Sequence, residues 1–193
     1  PQASDLSRAL PNEHDGLMEA IANWEAEMPV NPVYSALPVG YREFPHAYIP
    51  TQDAVLQGGL RRSSIHPNCS FIQDWEDVQA SLTWDLDVKE AGEYEVEAMY
   101  ACEAADVGSV LEVRSGKLAV QATLEEAFDP PLKDQDDRVP RDESYDKAFR
   151  PLSLGTLHLE AGRQPLVLKC LSKAGKRVAE IRALRLNYTG KTT

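Results

Sequence analysis

Hydrophobic and polar positions alternate most regularly between Leu82 and Tyr100. Leu82, Trp84, Leu86 and Val88 interleave with Thr83, Asp85 and Asp87, the period of a half-buried strand. Lys89 to Glu93 interrupt the run around Gly92, the residue type that takes a positive φ most easily. The alternation then resumes, with Tyr94, Val96, Ala98 and Tyr100 on one face and Glu95 and Glu97 on the other. A simple hairpin would set Asp87 opposite Glu95 and Asp85 opposite Glu97, and facing like charges cost roughly 0.2–1 kcal/mol per pair. The pattern therefore predicts a chain that crosses from one sheet to another at Gly92, leaving the two acidic faces on different outer surfaces. Cations on neighbouring strands, Lys169, Arg182 and Arg185, offer a second way of removing the penalty. The expected fold is mainly β: a two-sheet antiparallel, jelly-roll-like sandwich with an N-terminal α-helix.

The rest of the chain is read around that pair. Asn12 to Met28 predicts a helix, with Leu17, Ile21, Trp24 and Met28 at helical spacing, Asn12 or Asp15 as cap and Pro29 as stop. Residues 29–50 hold prolines 29, 32, 38, 45 and 50 with aromatic residues between them, the composition of an extended connector. Tyr34, Tyr41, Phe44 and Tyr48 are expected to pack on the sandwich as a strap; a stacking platform for a ligand is the alternative. Residues 51–190 make the sandwich. Ala54 to Ile65 is its opening strand, Gly58-Gly59 a bulge or turn, and Ser115-Gly116 a tight hairpin. Further strand-like runs bring the expected number to roughly eight. Glu125 to Arg150 breaks the rhythm with charge and three prolines. A connection this long is either a functional insertion or a solvated loop.

Composition narrows the chemistry. The net charge of −11 over 193 residues argues against nucleic acid, which needs a basic surface. No apolar run approaches a membrane span. The chain begins at Pro1 without a signal peptide, as expected of a processed form or an excised piece. Cys69, Cys102 and Cys170 have no metal-ligand spacing. Cys102 and Cys170 fall in strand-like runs and are expected to be buried free thiols, although Cys69 could pair with Cys102 in an exported protein. Asp134 and Asp136 begin like a calcium loop, but Val139 and Tyr145 stand where an EF-hand needs Gly and Glu. A calcium site built from loop carboxylates at the sandwich edge stays open. The four histidines are scattered, and no nucleophile elbow, P-loop or zincin motif is present. Trp84 belongs to an alternating apolar series and reads as core. Trp75, beside Asp74, Glu76 and Asp77, is the better ring for stacking on a sugar.

Several blocks carry a resemblance. DLSRALPNEHDGLMEAIANWEAEM, GYREFP, PNCSFIQDW, WDLDVKEAGEYEVE, DRVPRDESYDKAF and LGTLHLEAGRQPLVLK together resemble the C-terminal part of a formylglycine-dependent sulfatase, of the arylsulfatase or N-acetylgalactosamine-6-sulfatase type, with an appended β-domain. The resemblance implies that residues 1–28 are the helical tail of the catalytic region and that the sandwich is an accessory, secreted or periplasmic. The parent would hydrolyse sulfate esters with formylglycine and a divalent metal, calcium. None of this machinery can be carried over, because no Cys or Ser stands in Cys/Ser-x-Pro-x-Arg. This chain is therefore expected to be non-catalytic and to hold no cofactor. Its implied partners are the sulfatase catalytic domain and a sulfated polysaccharide, met by Arg138, Arg141 and Lys147 of the charged loop. An autonomous carbohydrate-binding module centred on Trp75 is the alternative function.

Overall fold

The computed structural model describes residues 5–28, 36–66, 70–133 and 145–190. The chain divides into two units, Pro1–Ser35 and Ala36–Thr193. In the first, helix α1 (Pro11–Glu27) begins one residue earlier than the sequence predicts. Pro11 opens it, where a missing N–H costs nothing, and no side chain caps it. None of its residues is buried; Leu17, Ile21 and Trp24 stand exposed.

The second unit holds twelve strands among the described residues. In chain order they are β1 (Leu37–Val39), β2 (His46–Pro50), β3 (Val55–Gln57), β4 (Arg61–Arg62), β5 (Ile72–Gln73) and β6 (Ser81–Val88), followed by β7 (Gly92–Ala101), β8 (Val110–Ser115), β9 (Leu118–Thr123), β10 (Arg150–Leu159), β11 (Gly162–Ser172) and β12 (Glu180–Tyr188). The first sheet runs β1-β6-β11-β8-β9, with β3 sharing the β6 edge with β1. The second runs β10-β7-β12-β5-β4, with β2 beside β5 on β12. All pairings are antiparallel except β1 with β6.

β6 and β7 lie in different sheets, so the chain does cross at Gly92. The charges then find partners strand by strand. Asp85 binds Arg163, Glu97 lies 3.2 Å from Arg185, and Glu95 accepts from Asn187 at 2.8 Å. Of the other two cations, Lys169 goes to Glu112 at 3.2 Å and Arg182 donates to the Ser70 carbonyl at 2.6 Å. Between the sheets Leu82, Trp84, Leu86, Tyr94, Val96, Leu166, Leu168, Leu184 and Leu186 form the core. Each fully buried large side chain contributes about 1.5–3 kcal/mol, and Trp84 Nε1 is satisfied by the Pro50 carbonyl at 2.8 Å.

Three expectations change. Residues 36–50 are not a bare connector but supply β1 and β2, both on sheet edges, where proline is tolerated. The opening strand is two strands in different sheets, with the chain crossing at Gly58-Gly59, both at φ +78. A Cβ on Gly58 would stand 2.6 Å from the Ala80 backbone, so this passage needs glycine. The strap reading also fails for the described rings. Tyr41, Phe44 and Tyr48 are 42%, 76% and 54% exposed, and Tyr34 lies outside the described residues.

Candidate functional site

Strand β2 carries His46 and Tyr48 outward and Ile49 into the core. Its register on β12 sets Tyr48 beside Arg185 and His46 beside Asn187. The register of β12 on β7 sets Arg185 beside Glu97 and Asn187 beside Glu95. Two parallel rows therefore cross three strands of the second sheet: His46–Asn187–Glu95 and Tyr48–Arg185–Glu97. Side chains two residues apart on a strand place the rows about 7 Å from each other. They line a cleft of about 250 Å³. Within it each carboxylate already holds a donor: Asn187 Nδ2 gives to Glu95 Oε2 at 2.8 Å, and Arg185 Nη2 lies 3.2 Å from Glu97 Oε2. The next position along β7, Glu93, faces His158 Nδ1 at 3.0 Å.

Two larger hollows are chemically poorer. One of about 460 Å³ at Gly58, Arg61, Asp74 and Arg177 contains no aromatic ring, and Asp74 is held by both arginines. Another of about 730 Å³ along Leu56 to Ile65 contains neither ring nor carboxylate, and Arg62 there is spent on backbone carbonyls. Among the described residues no group of three His, Cys, Asp or Glu is placed to hold a metal ion, and no helix is long and apolar enough to cross a membrane. Asp134 and Asp136 lie outside the described residues.

The residues singled out in the sequence fare differently. Trp75 is fully buried, its Nε1 donating to the Asp77 carbonyl at 3.0 Å. Asp74 before it takes φ +54, and the kinked chain places the ring in the core while its acidic neighbours stay outside. Trp75 therefore cannot stack on a sugar. Lys147 is also corrected: its side chain is 7% exposed, with Nζ 2.7 Å from Asp129 and 2.6 Å from Glu180. Two carboxylates consume the ammonium, leaving none of it for a sulfated chain. Arg138 and Arg141 lie outside the described residues, as does Cys69. Cys102 and Cys170 are buried free thiols. Burial first, then Asp106, Asp129 and Glu103, pushes the Cys102 thiol up to about 11.

In the sequence Tyr48 stands out only as one of four rings, because its neighbours in the cleft come from strands remote in the chain. The signal was present in His46-Ala47-Tyr48-Ile49-Pro50, where Ala47 and Ile49 share one phase and Tyr48 the polar one. The flanking prolines masked it.

Comparison of sequences finds no matching family model and no matching curated protein. Comparison of structures finds matches. A family 35 carbohydrate-binding module from Clostridium thermocellum aligns with TM-score 0.51 at 10% identity, over 75% of this chain and 98% of that one. A carbohydrate-binding module of Cellvibrio mixtus lichenase 5A, in complex with cellotriose, aligns with TM-score 0.50 at 16% identity, over 76% and 98%. The Podospora anserina GH26-CBM35 β-(1,4)-mannanase aligns with TM-score 0.51 at 12% identity, over 77% of this chain but 29% of the enzyme. The sandwich shares its fold with carbohydrate-binding modules. The mannanase alignment covers only a minor part of that enzyme, whereas the two free-standing modules are covered almost entirely. At these identities the likeness speaks for the jelly roll alone, and the chemistry must come from the cleft.

Proposed function

We propose that this chain is a non-catalytic carbohydrate-binding module that holds a glycan on the outer face of its second sheet. The observation that carries the reading is Tyr48, 54% exposed inside a cleft lined also by His46, Glu95, Glu97, Arg185 and Asn187. An aromatic ring offers an apolar surface to the C–H face of a sugar ring. Arg185, Asn187, Glu95 and Glu97 stand around it to meet the hydroxyls. A few oriented polar groups beside an apolar surface are what a small-ligand site requires. No nucleophile or carboxylate pair free of partners is needed for such a role. A module of this kind meets its polymer outside the cytoplasm, and we place it as secreted or periplasmic.

The test is affinity electrophoresis of the chain through gels containing neutral and charged polysaccharides. We expect retardation by at least one polymer, and Tyr48→Ala to weaken it at least tenfold while leaving the thermal midpoint unchanged. Retardation that survives the substitution would remove Tyr48 from the site, and mobility unaffected by every polymer would remove the function.

A second reading rests on a different observation. The exposed stripe Leu17, Ile21 and Trp24 on α1 suits a helix that docks on another domain, as the resemblance to sulfatases implies. Under that reading the sandwich accompanies a catalytic domain cleaving sulfate esters with formylglycine and calcium, and a sulfated polysaccharide is that domain's substrate.

A further inference from the structure

We propose that the Tyr48 cleft selects an uncharged stretch of glycan and rejects sulfated or uronate-bearing chains. This inference rests on the reading of the cleft as a sugar site and adds the class of sugar.

The argument is one of donors and acceptors. The cleft walls are built as couples: Arg185 with Glu97 at 3.2 Å and Asn187 with Glu95 at 2.8 Å. Each couple sets donor N–H groups beside a carboxylate, which only accepts. A sugar hydroxyl is one donor with two acceptor lone pairs. A pair of neighbouring hydroxyls can therefore give to the carboxylate and accept from the guanidinium or amide of one couple. A sulfate ester offers oxygens that only accept. It could accept from Arg185, but it would then lie beside both Glu97 and Glu95, two carboxylates to one guanidinium.

The surroundings sharpen the bias. Glu93 continues the carboxylate series along β7, and His158, its partner at 3.0 Å, also faces Glu160 at 3.4 Å. Lys147, the lysine the sequence offered to a polyanion, is locked between Asp129 and Glu180 elsewhere on the molecule. The whole chain carries −11, so a polyanion is repelled at long range as well.

The experiment compares matched polymers. Neutral β-mannan, xylan, mixed-linkage β-glucan and agarose are cast in gels beside chemically sulfated preparations of the same polymers. We expect the chain to be retarded by at least one neutral polymer, with at least tenfold weaker binding to its sulfated form. The double variant Glu95→Gln/Glu97→Gln, both on the solvent face, should narrow that gap while keeping its fold by circular dichroism. Equal or tighter binding of the sulfated polymer overturns the selectivity and leaves a sugar-binding cleft. A gap unchanged in the double variant overturns its attribution to these carboxylates. Binding to none of the polymers overturns both the selectivity and the sugar site.

Discussion

Lys147 shows how one residue can be misread and what its true role costs to remove. Burial alone would push its ammonium down, but the hydrogen bonds and charges of Asp129 and Glu180 outweigh this and hold it above the usual lysine value. Those partners keep 46% and 29% exposure, so the loss on breaking the pair falls below the about 3–5 kcal/mol of a fully buried one. We expect Lys147→Met to cost about 1–3 kcal/mol in chemical denaturation. The sign with pH follows from the raised value. The stabilisation is complete below the unfolded lysine pKa, about 10.4, and fades as pH rises through the higher folded one. Wild type and variant should therefore differ fully at pH 8 and converge in strong alkali; a constant gap would dismiss the ion pairs as its source. Neither Lys147 nor Trp75 was legible from the sequence for a common reason. Both stand among charged neighbours, and the chain conveys the polarity of neighbours but not the kink at Asp74 or the approach of Glu180 from thirty-three residues away.

At the scale of elements the alternation was a sound guide wherever it ran long. β6, β7, β11 and β12 follow their hydrophobic phase, and the clash foreseen between facing acids is avoided by placing β6 and β7 in separate sheets. Two-residue and three-residue strands such as β4 and β1 carry too few positions for a period to emerge, so they were lost in the proline-rich and glycine-rich stretches. Helix α1 was legible as a helix, and its exposed stripe agrees with the expectation that a lone amphipathic helix docks poorly in this chain. With no buried residue, its 17 residues have little beyond marginal local stability to hold them. Amide exchange should find α1 unprotected within seconds, while the central strands β7 and β12 persist for hours or longer. Protection of α1 equal to that of β12 in a monomer would mean that its apolar stripe is covered after all.

On the scale of the whole molecule, the two sheets present different outer surfaces, and the second carries the exposed Tyr48 ring together with its cleft. Its wall is assembled from β2, β7 and β12, segments that are remote in the chain. No local pattern could therefore announce the site, although the acidic phase of β7 and the polar phase of β2 were each visible alone. The proposed glycan site depends on a register, and registers are settled by the sheet as a whole.

That order of assembly also has a consequence in time. Strand β12, Glu180–Tyr188, sits at the middle of the second sheet and pairs with β2, β5 and β7. Among the described residues, only β8–β9 and the short β4–β5 join strands that are neighbours in the chain; the other ladders found there close long loops. Such topologies fold in about milliseconds to seconds rather than microseconds. Until β12 is free of the ribosome, β7 has an open edge and β2 has nowhere to dock, so the second sheet closes only once its central strand is available. Chains truncated after Ser172 and released should be digested by protease at the rate of an unfolded polypeptide, and released chains that include Tyr188 should abruptly resist; resistance that rises gradually with length would show that the first sheet can stand without the second.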